Sequence, residues 1–178
     1  MDTPDAAPET GGPTPQHRAL HRWAFWGAAV AVVVVDQATK TIIRTTMDRG
    51  DIWPSDDWPV RIKYVTNTGA AFGVLQDQAA FLIIMAFIGL AAIYVYYRYP
   101  PFRHWLATLA IGLMLGGAVG NLIDRVLQGR VTDFIDFPRF PSFNVADSSI
   151  TVGVAIILIG YFLLEARKET PSPADADS

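Results

Sequence analysis

The stretch Gly129-Arg-Val-Thr-Asp-Phe-Ile-Asp-Phe-Pro-Arg-Phe-Pro-Ser-Phe-Asn-Val-Ala-Asp-Ser-Ser149 is a polar strip between two long apolar segments. Asp133 follows the end of one apolar segment and Asp147 precedes the start of the next, so both carboxylates can lie at the same membrane face. An ionised carboxylate is costly even partway into hydrocarbon, which makes acids at this depth candidates for function. We therefore interpret Asp133 and Asp147 as a catalytic pair.

Long uncharged runs on either side of this strip indicate a membrane protein. Of the 178 residues, 51% are hydrophobic and 17% are charged, and the charges are unevenly distributed. Three runs contain no charged side chain, namely Ala79–Tyr97, Trp105–Ile123 and Ser148–Leu164. Each has about the 17 to 25 residues that a helix needs to cross a bilayer. The sequence therefore predicts an α-helical integral membrane protein with spans over these runs.

A fourth span precedes these three. Basic residues before Trp23 and the apolar residues after it look like a signal peptide, but three further spans favour an uncleaved anchor. The uncharged part, Trp23–Val35, has only 13 residues. The helix must therefore continue through Asp36 to about Ile43 to cross a hydrocarbon core of about 30 Å. This extension places Asp36 inside the far leaflet.

Lys40 follows Asp36 by four residues on the same helical face. This is the favourable order for an acid and a base on a helix, and the long lysine stem can reach the membrane surface. An ion pair with a structural role only explains the two residues equally well. On that interpretation, Lys40→Ala lowers stability, through the unpaired Asp36, more than it slows chemistry.

Residues 45–78 form a polar loop that contains no span. Apolar and charged residues alternate with a period of about two from Val60 to Thr66, which predicts a short amphipathic strand. The strand ends at Asn67, and the small-residue run that follows includes Gly69. Small residues around one Asn let a ligand backbone approach closely, although the same residues suit an ordinary loop.

Three glycines recur every four residues in the third span, at Gly112, Gly116 and Gly120. They put a groove on one helical face that favours close packing of another helix over the binding of a substrate. Three polar residues follow on one face near the helix end, namely Asn121, Asp124 and Arg125. The amide of Asn121 lies in an otherwise apolar segment and needs a hydrogen-bond partner.

Composition excludes several classes of site and partner. The absence of cysteine excludes disulfides, thiolate nucleophiles and cysteine-ligated metal sites. The net charge is −3, but six acids lie in the two tails, residues 1–17 and 169–178, which we predict to be disordered. The core between them has a small positive excess, which fits contact with anionic membrane lipids and gives no case for nucleic acid.

Four spans place both termini on one side of the membrane. Basic residues closely flank the helix ends on that side, which favours cytoplasmic termini and a cytoplasmic connection between the second and third spans. On this topology eight polar residues converge at or just below the opposite face, namely Asp36, Asn67, Asn121, Asp124, Arg125, Asp133, Asn144 and Asp147. Four separate segments of the chain contribute to this group.

Two carboxylates a few ångströms apart cannot both ionise cheaply, so the pair keeps one proton at neutral pH. The ionised partner can take a proton from a water that attacks a peptide carbonyl, while the protonated partner polarises the carbonyl and protonates the leaving nitrogen. This chemistry requires no metal and no other cofactor.

Five blocks of the sequence carry a family resemblance. In order they are Asp36-Gln-Ala-Thr-Lys40, Asn67-Thr-Gly-Ala-Ala-Phe72, Gly120-Asn-Leu-Ile-Asp-Arg125, Val131-Thr-Asp-Phe-Ile135 and Phe143-Asn-Val-Ala-Asp147. Each block is short, but five in order on four spans are highly specific. From Trp23 to Lys168 the chain resembles signal peptidase II, the bacterial lipoprotein signal peptidase family.

The resemblance implies an aspartyl endopeptidase of the bacterial cytoplasmic membrane. Its substrate would be a prolipoprotein, cleaved just before a diacylglyceryl-modified cysteine, with Asp133 and Asp147 as the catalytic residues. A small extracytoplasmic β-sheet is implied in the loop before the second span. Supporting or substrate-binding roles are implied for Asp36, Asn67, Asn121, Arg125 and Asn144. We add three neighbours in the same blocks, Lys40, Gly69 and Asp124.

Several alternatives remain open. Asp136 competes with Asp133; in an extended segment the two point to opposite faces, and the family motif selects Asp133. Asp147 before Ser-Ser-Ile also suits the N-cap of a helix. A small transporter would need ionisable groups at mid-membrane or on both sides. A Mg²⁺-dependent lipid or phosphoryl enzyme could use the oxygen ligands of Asp124, Asp133, Asp136 and Asp147, and sensitivity to a chelator would distinguish it.

Overall fold

Four long helices form the body of the protein. The computed structural model describes residues 15–69, 78–99 and 104–168. The helices are α1 (Pro15–Thr46), α2 (Ala79–Arg98), α3 (Trp105–Gln128) and α4 (Val145–Lys168). Each contains a segment long and apolar enough to cross a membrane, namely Arg22–Thr46, Ala80–Arg98, Trp105–Gln128 and Val145–Leu163. α1 begins within the predicted N-terminal tail, and residues 1–14 and 169–178 of the two predicted tails lie outside the described residues.

The four-residue glycine repeat of α3 is filled by α1. A Cβ atom on Gly112 would lie 2.5 Å from the carbonyl oxygen of Phe25, and one on Gly116 would lie 2.6 Å from that of Ala29. These distances are too short for a real contact, so any larger residue would push the two helices apart. Of the two uses that the sequence leaves open for this groove, the structure shows helix packing.

The outer surfaces of the helices are strongly apolar. Val34, Ile84, Phe87 and Phe162 are all more than half exposed. An apolar surface of this extent is unusual on a protein in water but is the surface that a bilayer requires. The described helices therefore fit the predicted multi-pass arrangement.

A four-stranded antiparallel sheet covers one end of the bundle. In spatial and chain order its strands are β1 (Ile52–Trp53), β2 (Arg61–Asn67), β3 (Val131–Phe137) and β4 (Phe140–Phe143). The sequence predicts a sheet in the loop between α1 and α2, where β1 and β2 lie. β3 and β4 come instead from the polar strip between α3 and α4. The first four residues of β3 are all buried, so the strip lacks the alternation by which a strand is recognised.

A small hydrophobic core fastens this sheet to the bundle. Ile43 near the end of α1 packs against Tyr64 of β2 and Phe134 of β3, and all three are buried. At the other side of the strip, Gly129 ends α3 in the left-handed conformation, with φ of 69°, which glycine adopts without steric cost. The chain thus turns directly from α3 into β3, and this turn brings Asp133 over the helix ends.

Candidate active site

Asp133 is held on β3 by two side-chain amides. Asn67 Nδ2 donates to Asp133 Oδ2 over 3.1 Å, and Asn144 Nδ2 donates to Asp133 Oδ1 over 2.7 Å. The backbone N–H of Gly69 donates to Asn67 Oδ1 over 2.9 Å, which leaves the amide nitrogen of Asn67 facing the carboxylate. Asp133 is 2% exposed, so neutral donors rather than water satisfy it.

Asp147 lies in the first turn of α4. The helix begins at Val145, so Asn144 is its N-cap and Asp147 is its third residue; the alternative that Asp147 is the N-cap is wrong. Asn144 Oδ1 accepts from the backbone N–H of Asp147 over 3.0 Å, and Asp147 Oδ2 accepts from the backbone N–H of Asn144 over 3.3 Å. This reciprocal capping fixes both side chains at the start of the helix.

A second asparagine joins the two acids. Asn121 Nδ2 donates to Asp147 Oδ1 over 2.7 Å. Asn121 Oδ1 accepts from Asn144 Nδ2 over 3.2 Å, and Asn144 in turn contacts Asp133. Asn121 and Asn144 therefore form a continuous amide bridge beneath the two carboxylates.

Both carboxylates face one cavity. This cavity, of about 990 Å³, lies between the sheet and helices α3 and α4, and its wall includes Asp133, Asp147, Asn67, Gly69 and Arg125. A second and more apolar cavity, of about 700 Å³, lies between α2, α3 and α4. The two cavities share Asn121, Arg125, Asp147 and Ile150 in their walls. The predicted pair thus lies beside the residues that the walls of both cavities share, and Asp147 is one of them.

Burial raises the pKa of Asp133 to about 7, and the nearby negative charge of Asp147 adds to this rise. Hydrogen bonds from Asn67 and Asn144 and the positive charge of Lys40 oppose the rise without cancelling it. A carboxyl group with this pKa holds a proton for much of the time at neutral pH.

A buried cluster of charges supports the amide bridge from below. Lys40 Nζ lies 2.9 Å from Asp36 Oδ2 and 3.4 Å from Asp124 Oδ2, and all three side chains are fully buried. The prediction that the lysine stem reaches the surface is therefore wrong, because its oxygen partners lie inside the bundle. Asp36 Oδ1 also accepts from the backbone N–H of Ala146 over 3.0 Å. A Cβ on Gly120 would lie 2.6 Å from Asp36 Oδ2, so this glycine makes room for the carboxylate.

Three members of the cluster are not among the predicted site residues. Gln37 Nε2 donates to Asp124 Oδ1 over 3.3 Å, and Arg44 Nη1 donates to the same oxygen over 3.3 Å. The backbone N–H of Thr132 donates to Asp124 Oδ2 over 3.0 Å. Arg44 continues the four-residue spacing of the acid and base on α1, and this spacing could have indicated it.

Asp136 points away from the pair. It accepts hydrogen bonds from Arg61 Nε and, over 2.6 Å, from Ser142 Oγ, on the other face of β3 from Asp133. The four carboxylates proposed as magnesium ligands therefore do not converge. Within residues 15–69, 78–99 and 104–168, no group of three or more His, Cys, Asp or Glu side chains is arranged to hold a metal ion.

A bundle of four membrane-length helices with one buried and one partly buried carboxylate in the wall of one cavity has the architecture of a membrane aspartic peptidase. The family model described as Signal peptidase (SPase) II matches residues 28–163. The chain belongs to the signal peptidase II family.

Curated relatives and solved structures agree with this membership. The chain is 43% identical over 146 residues to a lipoprotein signal peptidase of Symbiobacterium thermophilum, covering 78% of this chain and 94% of that protein. It is 40% identical over 145 residues to one of Shouchella clausii, covering 81% and 95%. A solved bacterial membrane enzyme superposes with a TM-score of 0.76 at 40% identity, covering 82% of this chain and 91% of that chain. A second gives a TM-score of 0.68 at 42% identity, covering 75% and 89%.

These findings confirm the predicted family, the α-helical four-span membrane fold and the prediction that the chain is an aspartic peptidase. They also support a bacterial multi-pass membrane protein. The roles of individual site residues remain predictions.

Proposed function

We propose that this protein removes signal peptides from prolipoproteins by cleaving immediately before a diacylglyceryl-modified cysteine, with Asp133 and Asp147 as the catalytic pair. The observation that carries the proposal is the amide bridge, which joins the carboxylates of Asp133 and Asp147 at the wall of one cavity. The names of the relatives, which are lipoprotein signal peptidases, supply the substrate class.

The surroundings of the pair suggest a division of roles. Asp133, whose pKa is about 7, holds the shared proton, while Asp147 accepts from Asn121 and from the backbone of Asn144 and acts as the base. Asp147 removes a proton from water, and the water oxygen bonds to the scissile carbonyl carbon. Asp133 polarises the carbonyl oxygen and then gives its proton to the leaving nitrogen as the C–N bond breaks. The products are a new carboxyl terminus on the signal peptide and a free amine on the lipid-modified cysteine.

The two cavities suggest how such a substrate would lie. The cavity beneath the sheet has polar groups in its wall, among them Asn67, Arg125 and Ser142, that could bind an extended peptide backbone. The cavity between α2, α3 and α4 is mainly apolar and suits the hydrophobic parts of a lipid-modified, membrane-embedded substrate. Because Asp147 lies in the wall of both, a substrate that fills both would pass its scissile bond beside the pair.

We place the protein in the bacterial cytoplasmic membrane with both termini in the cytoplasm and the site near the extracytoplasmic face. The even number of spans and the basic residues that flank the helix ends support this orientation. The sheet and both aspartates lie at the other end of the bundle from the termini. Membrane lipids are then direct neighbours of the helices, and no step of the reaction uses a metal or another cofactor.

The test is a cleavage assay with purified protein and a lipid-modified prolipoprotein. We expect wild type to cleave and both Asp133→Asn and Asp147→Asn to lose cleavage while they remain folded. Mass spectrometry of the products should place the cut directly before the modified cysteine. Normal cleavage by either variant would remove that residue from the pair, and loss of wild-type activity on addition of a chelator would favour the magnesium alternative.

A further inference from the structure

Lys40 has a third contact beyond its two ion pairs. Its ammonium donates a hydrogen bond of 2.9 Å to Asn121 Oδ1, in addition to its contacts with Asp36 and Asp124. Two carboxylates already compensate the charge of this fully buried lysine, so neutralisation alone does not require the contact. The contact does connect the charge cluster to the amide bridge under the two aspartates.

This contact determines which way the Asn121 amide faces. An ammonium has three donors and no acceptor, so the oxygen of the amide must be directed towards Lys40. Asn144 Nδ2 donates to the same oxygen over 3.2 Å, and the amide nitrogen then donates to Asp147 Oδ1 over 2.7 Å. A reversed amide would place its N–H groups against the ammonium and its oxygen against the carboxylate of Asp147. Both of these contacts would be repulsive.

We propose that Lys40 is a positioning residue for the catalytic pair, which fixes the orientation of Asn121 and through it the carboxylate of Asp147. The proposal rests on the function proposed above and adds a residue that does not touch substrate. The same oxygen of Asn121 also receives Asn144, whose amide nitrogen donates to Asp133 over 2.7 Å. Loss of the lysine would therefore loosen both acids. A purely structural ion pair between Asp36 and Lys40, the alternative that the sequence leaves open, lies within α1 and would affect neither acid.

Arg44 provides a matched control within the same cluster. It lies one helical turn beyond Lys40 on α1, and its Nη1 donates to Asp124 Oδ1 over 3.3 Å and to Thr132 Oγ1 over 3.4 Å. Among the residues that the structure describes, it has no hydrogen bond to Asn121. Arg44→Met therefore removes a positive charge from the cluster and leaves the orientation of the amide intact.

The experiment measures kcat and KM separately for prolipoprotein cleavage by purified, folded variants. We expect Lys40→Met to lower kcat about 10²-fold, because small displacements of catalytic groups have effects of this size, and to change KM less than about threefold. Arg44→Met should change kcat less than about threefold. In the double variant Lys40→Met/Asn121→Ala, kcat should be no lower than in the worse of the two single variants. Each substitution breaks the same series of hydrogen bonds from Lys40 through Asn121 to Asp147, so the second has nothing further to break.

A second comparison holds even if Lys40→Met folds poorly. Asp36→Asn/Lys40→Met removes the ion pair as a neutral unit, and its reference is Asp36→Asn alone. We expect kcat of the double variant to be about 10²-fold below that of its reference. The proposal would be overturned if Asp36→Asn/Lys40→Met and Asp36→Asn had equal kcat values. It would also be overturned if the loss of kcat in Lys40→Met/Asn121→Ala equalled the product of the losses in the two single variants. If wild type fails to cleave, or if Asp133→Asn cleaves normally, it is the proposed function that fails.

Discussion

Asp133 and Asp136 lie three residues apart on the same strand, and both are buried, yet their surroundings are chemically opposite. The described partners of the Asp133 carboxylate are the neutral amides of Asn67 and Asn144. Asp136 accepts from the guanidinium of Arg61 and from the hydroxyl of Ser142. Strand geometry sends the two side chains to different faces, and each face supplies a different kind of donor.

The consequence appears in the acidities of the two groups. Burial alone would raise the pKa of each carboxyl. For Asp136, hydrogen bonds from Ser142 and Arg61, together with the charge of Arg61, outweigh burial and hold the pKa below its ordinary value. For Asp133, burial and the charge of Asp147 prevail over the amide donors, and the pKa rises to about 7. Neutral donors lower the pKa of both carboxyls; the two differ because Asp133 lies near a second carboxylate, that of Asp147, whereas Asp136 lies beside the guanidinium of Arg61.

The largest expected effect is on cleavage when each acid is replaced in turn. Asp133→Asn should lower kcat by about 10⁴-fold, because the variant loses a group that gives and takes the reacting proton. Asp136→Asn is the matched control and should keep kcat within about threefold of wild type. Cleavage kinetics, with thermal melting to confirm folding, test both variants. A comparable loss in Asp136→Asn would show that the two acids do not differ in the way proposed.

The pH dependence of wild type tests the raised pKa of Asp133. Cleavage should decline above about pH 7, by up to about tenfold per pH unit, because the pair loses its shared proton. Stability should follow the same direction. The pKa of Asp133 rises from 3.8 on folding, so the stabilisation is fully present below about pH 4 and is lost as pH rises through about 7. Rates measured from pH 5 to 9 that stay flat above pH 7 would contradict this assignment.

Removal of one amide donor should sharpen the contrast. The hydrogen bond from Asn67 lowers the pKa of Asp133, so Asn67→Ala should move the decline in rate to higher pH and lower kcat about tenfold. Ser142→Ala is the comparison, since it removes a donor from Asp136 instead. The pH at which its rate declines should match that of wild type. If the decline in rate moved to lower pH in Asn67→Ala, the role assigned to this hydrogen bond would be contradicted.

The smallest effect is expected at the structural acid. Arg61→Met should lower the free energy of unfolding at pH 7 by about 1 to 3 kcal/mol, the usual contribution of a charged hydrogen bond, with kcat within about threefold of wild type. Because folding lowers the pKa of Asp136, its stabilisation is present at neutral pH and is lost as pH falls. The stability difference between Arg61→Met and wild type should therefore shrink in acid, as measured by unfolding in detergent at pH 7 and pH 4.

The sequence predicts the helices well because a bilayer demands long uncharged runs, and such runs are plain in α2, α3 and α4. The sequence also predicts that the polar residues of the site lie close together, because residues at the end or the start of a span must lie near a membrane face. The i to i+4 spacing of Asp36 and Lys40 predicts that they pair, and the structure contains this ion pair.

Other features depend on tertiary contacts that no local pattern encodes. β3 lacks strand alternation because the residues on both of its faces are buried over its first four positions. The burial of Lys40 depends on Asp124 and Asn121, which approach only when α3 packs against α1. The start of α4 is set by Asn144, whereas Asp147 alone looks like an equally good cap.

The hydrogen bonds that α1 makes with residues far along the chain have a consequence for membrane insertion during synthesis. Lys40 donates a hydrogen bond to Asn121, which lies 81 residues later in the chain. Asp36 accepts one from Ala146, which lies 110 residues later. At a synthesis rate of about 5 to 20 residues per second, roughly 4 to 16 s separate the emergence of Lys40 from that of Asn121. During this interval the acid and the base of α1 have each other but none of their later partners. The first helix should therefore keep some hydration at the end that carries Asp36 and Lys40 until the third is synthesised.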